Sequence, residues 1–251
     1  YARKINGVLR PGIVHRLDRL NLSLSRAWGT VRLGRQAVSW GNGLIFHPMD
    51  LFNPFSPTEV LTDYKPGRDM AAADLPMGTR GDLQLLAVPG RTENGSVHRD
   101  ASSLAGKAHI ATDHVGVDLM VADHFEALIT GLGLSGTVGQ AAWRADLTWT
   151  DSRSGQDFFT AVANLDRSWV WGQKNWYGLV EVYYNGLGEP DPEDAVLNQD
   201  LMQRVRRGEV FVLAEIYLAA AAEVELTPLV RLSSTGIVNA DDGSCLVQPT
   251  L

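Results

Sequence analysis

The sequence predicts an all-β fold: an antiparallel, up-and-down sheet of roughly 11 to 12 strands in one domain over residues 1–251. Three observations predict it. Apolar residues recur at every second position through most of the chain. Many connections between the alternating runs are short and polar, with Gly or Asn supplying the positive φ that tight hairpins need. Only one run carries both a helix start and a helix stop.

In chain order, Leu20-Asn21-Leu22-Ser23-Leu24-Ser25 alternates strictly, and a second strand runs from Thr30 to Val38. From Leu44 to Pro89 the pattern breaks, with six of the 11 prolines in this stretch. Proline cannot donate to a strand ladder, so a long irregular loop is expected over residues 44–80. Strands follow at Asp82–Val88, Lys107–Thr112, Val115–Val121 and Ala127–Leu134. From Ala141 to Thr150 the odd positions hold Trp143, Leu147 and Trp149, and the even ones hold Arg144, Asp146 and Thr148. Phe158–Asp166 and Trp176–Asn185 continue the series. Residues 192–206 form the one expected helix: Asp191 caps it, Pro192 suits its first turn, Arg204, Arg206 and Arg207 suit its basic end, and Gly208 stops it. Glu209–Ala219, Val224–Leu232 and the C-terminal end complete the set.

Composition narrows the classes. A 45% apolar, 20% charged chain is a folded one, and a single cysteine excludes a disulfide scaffold. A net charge of −7 with no Lys/Arg block argues against nucleic acid as a partner. No run approaches the ~18 apolar residues of a membrane helix. Neither Tyr1 nor Leu251 sits in a signal peptide or a capped end, and the reading is of an internal piece of a longer chain.

A period-two chain can turn its apolar face into a soluble sandwich or outward to lipid. Several strands reach the nine to eleven residues that cross hydrocarbon when tilted. Aromatics gather near strand ends: Trp28 and Trp40 bracket one strand, Trp143 and Trp149 another, and Trp176 lies beside Trp169 and Trp171 at a turn, where a membrane–water interface would seat them. The opposite faces carry Arg144, Asp146 and Glu181, with Tyr183 beside them, which suits a hydrated lumen.

The stretch Val31-Arg32-Leu33-Gly34-Arg35-Gln36-Ala37-Val38-Ser39-Trp40-Gly41-Asn42-Gly43, followed by Pro48-Met49-Asp50-Leu51-Phe52-Asn53-Pro54, resembles a signature of porin-like outer-membrane β-barrel proteins of Gram-negative bacteria. Tyr183-Tyr184-Asn185-Gly186 and Asn239-Ala240-Asp241-Asp242-Gly243-Ser244 also resemble stretches of such barrels. The likeness is sharp from Val31 to Met70 and looser over most of the remainder. It implies a transmembrane barrel in the bacterial outer membrane, with the lipid bilayer and small polar solutes as partners; a homo-oligomer is compatible with it. The terminal aromatic that such barrels use as an assembly signal is missing, which again suggests a longer protein.

Site expectations follow. Arg32 and Gln36 share the even face of their strand and are expected in the lumen with Arg144, Asp146, Glu181 and Tyr183; Arg35, on the lipid face, needs a partner or a strand-end position. Phe46, Asp50, Phe52, Asn53 and Phe55 belong to a loop too apolar to be exposed, which either narrows the lumen or caps the rim. Asp113-His114 and Asp123-His124, with His109 nearby, raise the alternative of a barrel-borne hydrolase, but the two pairs lie at opposite strand ends and no nucleophile elbow or His-Glu-x-x-His is present. No metal site and no cofactor are expected; Asn239–Gly243 reads as a turn and Cys245 as strand packing. The expected function is a channel for passive or selective passage of small polar solutes, not an enzyme. Glu181 and Asp146 tilt it toward cations or neutral solutes. The competing reading from another class is a soluble β-sandwich that binds carbohydrate.

Overall fold

In the computed structural model of the chain, residues 3–5, 8–10, 17–52, 67–91, 95–153 and 155–251 are described. A short hairpin of β1 (Arg3–Ile5) and β2 (Val8–Arg10) stands apart from one antiparallel sheet of 13 strands. These are β3 (Leu20–Arg26), β4 (Gly29–Gln36), β5 (Arg68–Pro76), β6 (Gly81–Val88), β7 (Ser103–Ala111), β8 (Val115–His124), β9 (Ala127–Val138), β10 (Ala141–Ser152), β11 (Phe158–Trp171), β12 (Lys174–Asn185), β13 (Ile216–Thr227), β14 (Val230–Asn239) and β15 (Cys245–Thr250). Spatial order follows chain order, so every connection is an up-and-down one. β3 and β15 are the sheet's edges, and the sheet does not close among the described residues.

Register converts the alternation into two distinct faces. One row of paired residues runs His109, Asp118, Gly133, Asp146, Val162, Tyr183, Tyr217 and Asn239 across eight strands. The adjacent row on the opposite face runs Leu119, Leu132, Leu147, Ala161, Tyr184 and Ile216. Members of the first row are largely buried, with Asp146 2% exposed; Leu119 and Leu147 of the second are 49% and 44% exposed. No second layer covers that apolar face among the described residues, which excludes the sandwich reading.

The two ends differ. At one end the turns are tight, as at Gly139-Gln140 and at Gly172-Gln173, whose φ values of 60° and 61° are those of a two-residue hairpin turn. At the other lie the long connections 37–67, 89–102 and 186–215. The β8–β9 turn is tight yet sits at this second end, with Phe125 and Glu126 both at positive φ. Outer-face aromatics mark both levels: Trp169, Trp171 and Trp176 near the tight turns, and Trp149, Phe159 and Tyr184 toward the long loops. Phe159 to Trp169 is about 33 Å along the strand, or roughly 25 Å of height at a ~40° tilt, the extent of an apolar barrel band.

Several expectations need correction. β5 lies inside the stretch expected to be irregular; Met70-Ala71-Ala72-Ala73 has too little contrast between its faces to show alternation. The last long hairpin is β13–β14 turning at Pro228-Leu229, not strands at 209–219 and 224–232, because Ala219–Ala222 also hides the period. The 192–206 helix is two helices, α1 (Pro192–Leu197) and α2 (Gln199–Arg207). Asn198 divides them: its extended backbone ends α1, its side chain caps α2 by accepting from the Leu201 N–H, and its amide donates to Glu189.

Candidate functional site: a segment laid along the charged face

After β4 the chain turns in over the charged face, and residues 37–52 cross it as far as β12. This face is the inner one. Asp50 closes the segment on itself by accepting the Trp40 and Gly41 N–H groups. Apolar side chains seat its two ends: Trp40, Met49 and Phe52 pack with Met70, Leu86, Met120 and Ile129, while Ile45 and Phe46 pack with Val162, Leu179 and Tyr183. The Phe46 and Tyr183 rings stack at 4.5 Å. β9 makes room through Gly131 and Gly133, where a Cβ would fall 3.2 Å from Met49 Cε and 2.6 Å from Asn42 Nδ2 respectively.

The polar middle of the segment is held by carboxylates of the wall. Asn42 donates its backbone N–H to Asp146 at 2.6 Å and its side-chain amide to Asp146 at 2.8 Å and Asp118 at 3.1 Å. Glu181 accepts three successive backbone N–H groups, from Leu44, Ile45 and Phe46, at 2.7–3.0 Å. Asn164 bridges, donating to the Asn42 carbonyl and to Glu181. The Trp40 indole N–H reaches Gln84 at 2.7 Å. Asp118 also faces Lys107 at 3.2 Å and His109 at 2.9 Å. Charged acceptors make stronger hydrogen bonds than neutral ones, and a buried carboxylate left unpaired is expensive.

Every expected lumen residue lies on this inner face. Arg32 pairs with Asp74 at 2.7 Å and donates to Gln36 at 2.9 Å; Arg144 pairs with Asp166 and donates to Asn164. Arg35 lies on the outer face, where Asp69 meets it at 2.9 Å. Phe46, Asp50 and Phe52 are buried in the inserted segment, and Asn53 and Phe55 lie outside the described residues. Trp28, Trp143, Trp149 and Trp176 stand on the outer side or at its turns. Trp40 does not: it is 2% exposed inside the sheet, because the strand ends four residues earlier and the chain has already turned inward. Asn42, Asp118 and Asn164 were missed as site residues, although Asp118 stands on the less apolar side of the Val115–Val121 alternation.

Over the long-loop end, α2 buries Leu201 against Phe158, Leu187 and Ala195, and Arg204 bonds Ser152 at 3.0 Å and Glu209 at 2.9 Å. Burial pushes the Glu209 carboxyl above its ordinary value; Arg204 and Arg207 pull it back only in part. His124 Nδ1 lies 2.7 Å from Ser103 Oγ, whereas His114 is exposed in a tight turn. Among the described residues no three metal-ligating side chains come together.

The sheet is similar to the anion-selective porin of Comamonas acidovorans, with a TM-score of 0.51 and 13% identity, covering 91% of this chain and 71% of that one. The fold is a porin fold. The match to Pseudomonas aeruginosa OccK7 (OpdD) has a TM-score of 0.50 and 9% identity, over 90% of this chain and 63% of that one. No protein-family model and no curated protein matches the chain. The sequence resemblance to porin-like barrels therefore holds at the level of the fold, and the chain spans less than two thirds of OccK7.

Proposed function

We propose that the chain forms the greater part of a bacterial outer-membrane channel that passes small polar solutes and is narrowed by the inserted 37–52 segment. The observation that carries this reading is the division of one sheet into an uncovered apolar face, banded by aromatics, and a face of paired charges. In water the apolar face would exceed the few hundred Å² that soluble proteins expose; against acyl chains it is at home. Backbone groups in a bilayer must all be paired, so closure is completed by strands added at the β3 and β15 edges. By the general layout of such barrels, the tight turns face the periplasm and the long loops the exterior. The inserted segment ties the wall from β6 to β12 and removes cross-section from the lumen.

The test is planar-bilayer conductance of the intact protein. Discrete ohmic steps are expected, with larger steps after residues 38–52 are replaced by a short Gly/Ser linker. Absence of conductance from folded, inserted protein overturns the reading.

One contact favours hydrolysis as a second reading, the Ser103–His124 pair. Against it, Ser103 is 7% exposed and no carboxylate orients the ring at Nε2 among the described residues. Ser103→Ala abolishing ester hydrolysis by the wild-type protein would establish it.

A further inference from the structure

One cation of the outer face has no acid to answer it. Arg167 stands on β11 two residues inward of Trp169, opposite Gly178, and is exposed. Among the described residues its guanidinium makes one hydrogen bond, to Gln140, and no ion pair, so four of its five N–H groups are uncommitted. The outer-face carboxylates of the strands, Asp69, Asp123 and Asp151, all stand at the long-loop end, away from it. An arginine on a lipid-facing wall is costly at mid-bilayer and tolerated at the interface. Trp169 and Trp176, stacked at 6.3 Å, mark that interface beside Arg167. A Cβ on Gly178 would fall 3.0 Å from Trp169 Cη2, and one on Gly136 2.9 Å from Trp143 Cζ2. The two indoles therefore lie over glycines of β12 and β9, and neither is stacked on the guanidinium.

Toward the middle of the bilayer, the outer face of β11 to β14 is indented by an apolar groove of about 650 Å³. Leu165, Val180 and Leu218 wall it, and Ala163, Ala220 and Gly236 form its floor. Register aligns Leu165, Val180, Ala220 and Gly236 in one row. That row is two residues, about 7 Å along the strand, from the row of Arg167 and Gly178. A methylene is about as large as a water, whose share of the liquid is about 30 Å³, so a chain of about 16 carbons needs about 500 Å³. A phosphate presents the paired oxygens that a guanidinium fork fits, and an acyl chain suits the groove. A second copy of this chain packed here would instead bury Arg167 unpaired, because its own outer face carries no strand carboxylate at this end.

We propose that this surface holds one glycerophospholipid molecule, with its phosphate on Arg167 and one acyl chain in the groove. The proposal rests on the outer face lying against lipid, but not on the lumen conducting.

Native mass spectrometry of the intact protein released from detergent micelles, after titration with dioleoyl phosphatidylglycerol, dioleoylglycerol or inorganic phosphate, tests it. One phosphatidylglycerol per chain should stay bound. Dioleoylglycerol, which lacks the phosphate, should bind at least tenfold more weakly, and inorganic phosphate alone should not bind. Arg167→Gln should lower phosphatidylglycerol binding at least tenfold and leave dioleoylglycerol binding unchanged, whereas Ala220→Phe, which fills the groove, should lower both. Arg26→Gln, on the outer face of the distant β3, should change neither. Equal binding of the two lipids, binding of inorganic phosphate as tight as that of phosphatidylglycerol, equal losses from Arg167→Gln and Arg26→Gln, or a lipid-free oligomer would each overturn the proposal and leave the barrel reading intact. Failure of the wild-type chain to insert into lipid vesicles overturns both.

Discussion

Replacing Glu181 by Gln probes the inserted segment at its most committed contact. The carboxylate accepts the Leu44, Ile45 and Phe46 N–H groups and the Asn164 amide, four donors on two oxygens. A carboxamide keeps one acceptor oxygen and turns an NH₂ toward the remaining donors, so at least one backbone N–H loses its partner and faces another donor. Hydrogen bonds to charged groups contribute about 1.5–3 kcal/mol each, and an orphaned buried donor costs about 1–3 kcal/mol. Non-additivity and water reaching the freed amides trim the sum to about 3–6 kcal/mol for local opening of residues 42–46. At about 1.4 kcal/mol per tenfold, amide exchange at Leu44, Ile45 and Phe46 should quicken by roughly 10²–10⁴. Hydrogen-exchange mass spectrometry of the intact protein in micelles reads this directly, with β10 and β11 amides as internal reference. Unchanged protection at 44–46, beside an unchanged sheet, would refute the assignment of Glu181 as the segment's anchor.

The remaining predictions address the seat, the outer face and the α2 cap. Gly133→Ala places a Cβ 2.6 Å from Asn42 Nδ2 and 2.9 Å from Asp146 Oδ1, so it should loosen the same segment without altering strand pairing, again read by exchange. Leu147→Lys puts a charge on the outer face two residues inward of Trp149, between the interface and the middle of the band; a loss of about 1–3 kcal/mol of folding stability in lipid vesicles is expected, and almost none if that face were water-exposed in the native state. Glu209 has a raised carboxyl, so in the window above the ordinary glutamate value the folded state binds more protons than the unfolded state. Its contribution therefore favours folding below that window and is lost as pH rises through the raised value; Glu209→Gln should flatten that part of the stability-versus-pH curve, measured by urea unfolding in vesicles.

The period-two signal was legible wherever one face carries large apolar residues and the other polar ones, as in β8 and β10. It failed in Met70–Ala73 and Ala219–Ala222, where both faces are small and the pairing register comes from neighbouring strands. The helix pattern was right in location but blind to Asn198, because a residue that caps one helix and ends another differs little in sequence from a tolerated Asn within a turn. Trp40 illustrates a deeper limit. A tryptophan next to a strand looks the same whether it meets headgroups or a glutamine on the inner face, and only the direction of the following turn distinguishes them. The partners of Asp146 and Glu181 lie more than a hundred residues away along the chain, and no local spacing reports them.

That last point reverses a charge argument. Acidic residues on an inner face suggest cation preference only if their field reaches the axis. Here Asp118, Asp146 and Glu181 are turned toward amides of the inserted segment, and all three are under 4% exposed, so their charge is offset by dipoles before a solute meets it. In the channel proposed above, the inner face presents instead pairs such as Arg144–Asp166, whose side chains keep 26% and 15% exposure and cancel one another. Selectivity should follow from disturbing the pairs, not the anchors. Asp166→Asn leaves Arg144 with one neutral partner and one added unit of positive charge near solvent; the reversal potential in a salt gradient should move toward anions. Asp146→Asn removes a charge already answered by Asn42 and should move it far less, while loosening the segment. Equal shifts in the two variants, or a larger one from Asp146→Asn with the segment still protected from exchange, would mean the anchors face the conducting path after all.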